Sequence, residues 1–210
     1  MRSNQDYKNA ALTALKGKWT PSVLCTLVYF AISSVPYAFS GTESVASFFI
    51  SLACSICVLM PLGVGLYAAL RGLYLEGDER VIENTFRIGF GNWVHHVSGM
   101  LLVAVFTFLW TLLLIIPGIV KGLAYTLTPF ILKEKPELSP NEAIELSMKM
   151  MDGHKWDFFL LCLSFIGWYL LSIFTLCIGL LWVMPYQYTT IVAFYEDVKA
   201  EYESKQVSVA

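Results

Sequence analysis

The chain has 210 residues, 57% of them hydrophobic and 14% charged, with a formal net charge of −2. At a mean hydropathy of +0.62 it has too little polar surface to cover a soluble globule of this size, which excludes an ordinary soluble fold and points to a membrane. The near-neutral charge gives no support for nucleic-acid binding, and the basic residues matter through their placement instead.

Residues 3–16 form a first amphipathic stretch, with Tyr7, Ala10, Ala11, Ala14 and Leu15 on one side and Gln5, Lys8, Asn9 and Lys16 on the other. Gly17-Lys18-Trp19 ends it. Residues 1–18 are charged and lack a compact apolar core with a small-residue cleavage site, so no removable signal peptide is expected. The uncharged run 19–42 supplies a first span ending near Pro36, and residues 40–44, with Glu43, make a short turn. A second span covers about residues 47–70. It carries Pro61 in mid-run, and Gly63, Gly65, Ala69 and Gly72 permit close helix approach. Arg71 reads as a cytoplasmic anchor at its inner end.

A second polar segment, residues 76–92, has Val81, Ile82, Phe86 and Phe90 near a helical stripe, and Glu83 stands four residues before Arg87, a pairing distance on a helix. Gly91-Asn92-Trp93 closes it as Gly17-Lys18-Trp19 closed the first. From residue 97 to 120 the chain is uncharged again, giving a third span, and Pro117-Gly118 should start the turn into a short fourth at about 118–132. A single helix over residues 98–132 would be about 52 Å long, too much for a hydrocarbon core of ~30 Å.

In the third polar segment, Ser139 and Glu142 have the spacing of a capping box, with Pro140 at the first helical position. Glu142, Glu145, Lys149 and Asp152 share one face, while Ala143, Leu146, Ser147 and Met150 fall on another. Gly153 suits a left-handed residue after the last turn, and Lys155 with Trp156 marks a headgroup-level entrance. The apolar run 158–195 would be about 57 Å long as one helix, so it is two spans, with a turn at 175–179 and a kink at Pro185.

The expected fold is therefore all-α. It is a polytopic bundle of six transmembrane helices arranged as three hairpins, each preceded by a cytoplasmic amphipathic helix. Residues 1–210 form a single membrane domain, with units at about 3–75, 76–135 and 139–198 and a polar tail at 199–210. Trp19, Trp93 and Trp156, and Pro61, Pro117 and Pro185, recur in step. The alternative is that interfacial Trp and span prolines recur by chance. With both termini cytoplasmic, thirteen of the fourteen basic residues lie on that side and only Lys121 opposes them. Trp110, Trp168 and Trp182 would form the opposite aromatic belt.

Catalytic and metal-binding patterns are missing from the residues. The five cysteines sit in or beside apolar runs, where they pack as small hydrophobes; Cys54 and Cys57 have redox spacing but not the βα context. His95, His96 and His154 read as solvated interfacial residues. No enzymatic activity and no cofactor are expected. Gly118 and Gly122 have small-residue packing spacing around Lys121. That lysine either snorkels to the outer surface or lies in the bundle with Glu43 as its partner.

Residues Pro140, Ala143, Ser147, Met150, Met151, Gly153, His154, Phe158, Phe159, Ile166, Gly167, Trp168, Gly179, Trp182, Pro185, Tyr186 and Tyr195 resemble a bacterial integral-membrane family, domain of unknown function family 975. Phe108-Leu109-Trp110 and the run from Ile115 through Pro117 to Lys121 match its middle unit. The resemblance covers most of the chain, most weakly over residues 20–60. It implies a multi-pass protein of the bacterial cytoplasmic membrane and brings no agreed activity or catalytic residue. The chain is also distantly similar to the membrane domain of some glycerophosphodiester phosphodiesterases, whose chemistry belongs to a separate domain. The leading functional expectation is a non-enzymatic scaffold or interaction protein, with the lipid bilayer and a cytoplasmic or membrane protein as partners. The alternatives are a small-solute or lipid permease and, third, a membrane-embedded enzyme. Oligomeric state is not legible.

Overall fold

The computed structural model of the protein describes residues 2–39 and 44–209. Among these it is all-α: α1 (Asn4–Leu15), α2 (Trp19–Phe39), α3 (Val45–Cys54), a π-helical turn (Ser55–Leu59), α4 (Met60–Glu76), α5 (Val81–Gly91), α6 (Trp93–Leu113), α7 (Ile115–Ala124), α8 (Thr128–Glu134), α9 (Pro140–Met150), α10 (Lys155–Leu163), α11 (Ile166–Phe174) and α12 (Leu180–Val209). Among the described residues five stretches are long and apolar enough to cross a membrane: Trp19–Pro36, Val45–Glu76, Trp93–Leu113, Ile115–Glu134 and Lys155–Phe174.

The expected sixth span falls in α12, which is not among the five. Residues 185–190 read Pro-Tyr-Gln-Tyr-Thr-Thr, too polar for a lipid-facing helix. The reason is position: every residue from 189 to 195 is buried, so α12 is surrounded by protein, with α1, α2 and α4 against it. Inside the bundle its hydroxyls are satisfied within the helix, Thr189 Oγ1 donating to the Pro185 carbonyl at 2.7 Å and Thr190 Oγ1 to that of Tyr186 at 2.8 Å.

Local rules set the short helices. Ser139 and Glu142 form the capping box, the Ser139 N–H donating to Glu142 Oε2 at 2.7 Å and the Glu142 N–H to Ser139 Oγ at 3.3 Å. The Ser139 hydroxyl lowers the Glu142 carboxyl below its usual range. Ser3 and Asp6 make a second such box at the start of α1, with aspartate where glutamate or glutamine is usual. Gly17 and Gly153 take φ of +80° and +83°. Gly91 does not: it is the last residue of α5, and Asn92 makes the link at φ −126°, ψ 59°. The turn between α6 and α7 falls at the extended residue Leu114, earlier than expected, and leaves Pro117 in the first turn of α7, where its missing N–H is harmless.

Each short helix packs against the second long segment of the unit before it. Helix α5 lies on α4 and α9 on α8, while α1 closes the circle on α12. The stripe of Val81, Ile82, Phe86 and Phe90 is only partly the buried face of α5. Val81, Asn84, Thr85 and Gly89 face inward, whereas Phe86 and Phe90 stack on each other and are exposed. In a bilayer the apolar stripe gains nothing by turning inward, and small residues let backbones approach instead. A Cβ built on Gly65 would overlap the Thr85 carbonyl and lie 2.9 Å from Gly89 N, and one on Gly89 would lie 2.6 Å from the Pro61 carbonyl. Gly72, counted with Gly65 as a contact residue, has nothing within 4 Å.

Three apolar segments are interrupted, and at each a carbonyl accepts a hydrogen bond from a distant side chain. Trp93 Nε1 donates to Cys57 O in the π-helical turn at 2.7 Å. Ser147 Oγ donates to Ala124 O, where α7 ends, at 2.7 Å. Lys8 Nζ donates to Ser164 O, between α10 and α11, at 2.8 Å. Such partners allow irregular backbone inside a membrane bundle. Lys8, placed on the polar face from sequence, is thus buried with its amine over the Phe165 ring, and burial lowers its ammonium pKa. Beside it, desolvation and a 2.6 Å hydrogen bond to Asp197 push the Tyr7 phenol well above its ordinary range.

Candidate functional site

Helices α4 and α8, which each end an apolar segment, meet α12 in two layers. The first is aromatic. Tyr67 stands edge-on to Phe130 at 5.1 Å, and Phe130 stacks on Tyr195 at 4.4 Å. One helical turn onward, four residues in each case, stand Arg71, Glu134 and Lys199. They form an ionic clasp. Arg71 Nη2 meets Glu134 Oε1 at 2.6 Å, and Lys199 Nζ meets Glu134 Oε2 at 2.6 Å. Tyr195 Oη donates to the same Oε2 at 2.9 Å. Arg71 Nε also donates to Glu196 Oε1. Glu134 is the hub: its side chain is 13% exposed and it joins all three helices. The Arg71–Glu134 contact lies off the hydrogen-bond axis, so that oxygen is held by charge alone. Two cations and two carboxylates balance, and the aromatic layer seals one side, an arrangement suited to holding helices together rather than to attacking a substrate.

None of these four charges was singled out as a site from sequence, and Arg71 is a tie between helices, not an independent anchor. The available signal was an aromatic residue followed four positions later by a charge near the end of each unit. A largely apolar groove of about 440 Å³ brings Trp19 together with Trp168 and Trp182, which are expected from sequence at opposite interfaces.

The remaining expected residues are dispersed. Lys121 Nζ lies 5.1 Å from the Trp110 ring centre and 3.7 Å from Met148 Sδ of α9. It therefore meets the helix assigned to the opposite side. Its proposed partner Glu43 lies outside the described residues. Gly118 faces Thr111, where a Cβ would come 2.7 Å from the Thr111 Cα, while at Gly122 the nearest atom, Thr107 Cγ2, is an ordinary 3.7 Å away. Trp93 opens α6, Trp156 sits exposed in the first turn of α10, and Pro185 is buried within α12. His96 is not solvated: it is 3% exposed with Nδ1 2.8 Å from Gly89 O. His154 Nε2 lies 3.5 Å from Glu201. The pair around Lys121 predicts a small effect. Lys121→Gln should lower thermal stability in detergent by about 0.5–1 kcal/mol, the worth of one partly exposed cation–aromatic contact; a loss several times larger would place a buried counter-ion beside it.

A family model described as Protein of unknown function (DUF975) matches residues 95–202, which include Glu134, Glu196 and Lys199 but not Arg71. No curated protein and no solved structure matches the chain at a significant level.

Proposed function

Because the chain belongs to the family described as Protein of unknown function (DUF975), whose description carries no activity, we propose a function from the geometry, and a location from the resemblance: a non-enzymatic scaffold or interaction protein of the bacterial cytoplasmic membrane. It crosses six times as three hairpins, each led by an amphipathic helix, with both termini cytoplasmic. The observation that carries this reading is the docking of α1, α5 and α9. Their inward faces are occupied by the bundle, so Glu142, Glu145, Lys149 and Asp152 are left exposed on the outer face of α9 and just beyond it. Helix α12, about 45 Å long at 1.5 Å per residue, outruns a ~30 Å hydrocarbon core and extends its charged end past Lys199.

One observation favours a small-solute or lipid permease instead. The hydroxyls of Tyr29, Tyr67 and Tyr188 face the interior of the bundle without a hydrogen-bond partner among the described residues, as the lining of a polar path would. Two measurements separate the readings. Affinity isolation of the tagged chain from native membranes should recover a stoichiometric protein partner, and proteoliposomes should show no saturable flux across a broad solute panel; saturable flux would overturn the scaffold. For topology, a reporter fused after Leu114 should read exterior and one after Glu203 cytoplasmic, and the reverse of either would discard the six-span arrangement.

A further inference from the structure

A cleft of about 180 Å³ opens beside the clasp, between α4, α5 and α8. Arg87 stands on its α5 wall and Lys133 on its α8 wall, with Leu75, Ile88 and Phe130 completing an apolar side. Glu83, expected to pair with Arg87, does not. Instead Arg87 Nη2 donates to Asn84 Oδ1 at 2.7 Å. Asn84 is 5% exposed, and its amide donates to Asp78 Oδ2 at 2.9 Å. Asp78 is held in turn by Arg80, through Nε and Nη2 at 3.1 Å each and through the Arg80 N–H at 3.0 Å. A buried amide and a carboxylate thus aim a guanidinium that has no carboxylate of its own among the described residues. Lys133 opposite it likewise has no ion pair there. Of the acids near the cleft, Asp78 is committed to Arg80 and Asn84, and Glu134 to the clasp; Glu76 alone stays uncommitted, exposed at the rim.

Two uncommitted cations from different helices, one of them pre-aimed, across a cleft that is apolar on its third side, suit an oxyanion attached to a hydrocarbon. We infer that this cleft binds the phosphate of an anionic phospholipid, with Arg87 and Lys133 holding the phosphate oxygens and the acyl chains running over Leu75 and the exposed Phe86 and Phe90. A planar fork bound to one neighbour keeps enough N–H groups to grip a phosphate bidentately, which a lysine at the same place cannot do. The inference does not depend on whether the protein is a scaffold or a permease, since either can carry a bound lipid.

The test titrates the detergent-purified full chain with dioleoyl phosphatidylglycerol, dioleoyl phosphatidylcholine and inorganic phosphate, read by native mass spectrometry and by thermal shift. Phosphatidylglycerol should bind saturably and outcompete phosphatidylcholine. Arg87→Gln should weaken it about tenfold and Arg87→Lys by less, as expected for a charge-assisted bidentate contact. Lys133→Gln, on an exposed side chain with no hydrogen bond or ion pair among the described residues, should weaken it without lowering the melting temperature, so a folding defect at Arg87 would not leave the question open. Glu76→Gln should strengthen it by removing a rim carboxylate. Inorganic phosphate bound with the same Arg87 dependence, and no preference for phosphatidylglycerol, would overturn the lipid as source while keeping the oxyanion. Equal binding of the two lipids, unchanged by Arg87→Gln and Lys133→Gln, would overturn the site.

Discussion

Glu134→Gln should be the most damaging single change to a polar residue, lowering stability in detergent by about 2–4 kcal/mol. Removing one partner of a buried ionic cluster leaves the others uncompensated, a loss of roughly 3–5 kcal/mol when burial is complete. The figure is reduced here because the clasp side chains retain between 13% and 25% exposure. Glutamine keeps the shape and can still accept from Tyr195, so the missing charge alone is read out. Arg71 and Lys199 would then face each other across the amide with only Glu196 left to balance them. Since Glu134 and Arg71 act as a unit, the double variant Arg71→Gln, Glu134→Gln should lose about 1–3 kcal/mol less than the sum of the singles. Thermal denaturation of the four proteins checks this; strictly additive losses would mean that the clasp does not tie α4 to α8.

Gly65→Ala should be comparably severe through a single methyl group. The added Cβ would overlap the Thr85 carbonyl oxygen and lie 2.9 Å from Gly89 N and 3.0 Å from Gly89 Cα. All three are backbone atoms, so no side chain can swing aside, and α4 and α5 must separate along their whole contact. Overpacking by even one carbon costs about 1–3 kcal/mol in a well-packed interior. The upper end applies here, because separation also opens the Gly89–Pro61 packing on the same seam. Gly72→Ala is the control on the same helix: with nothing within 4 Å of its Cβ position, it should be neutral or slightly stabilising through helix propensity. Survival of the folded chain after heating in detergent compares the two directly, and equal survival would refute the backbone contact between α4 and α5.

Several features were legible from the residues because the interactions that make them span no more than about four positions. The helical class follows from long uncharged runs whose backbone must bond to itself. The capping box at Ser139 and Glu142 and the left-handed Gly153 follow from local stereochemistry, whereas the turn at residues 175–179 follows from the length of the apolar run 158–195 against a ~30 Å hydrocarbon core. That turn is closed by the left-handed residues Leu176 and Cys177 and by the Gly179 N–H donating to Thr175 Oγ1 at 2.9 Å.

Other features were decided only by the tertiary structure. An apolar stripe tells which face of a helix avoids water, but in a bilayer both the lipid and the bundle avoid water, so the stripe does not tell them apart. The stripe of Val81, Ile82, Phe86 and Phe90 therefore leaves the inner face of α5 open, and packing decides it for Val81, Asn84, Thr85 and Gly89; in the same way the polar run of α12 does not reveal that residues 189–195 are enclosed. The charges pose the opposite problem. Arg71, Glu134 and Glu196 are separated by some sixty residues each, and a charge at the end of an apolar run looks the same whether water or another helix receives it. By itself the sequence determined that the chain is helical, that its long segments are apolar and, within a few residues, where its polar segments and the turn at 175–179 fall. Which faces meet, which carbonyls Lys8 and Ser147 reach, and which four charges close on one another depend on packing between distant segments, where small residues and buried ion pairs, rather than hydropathy, set the arrangement.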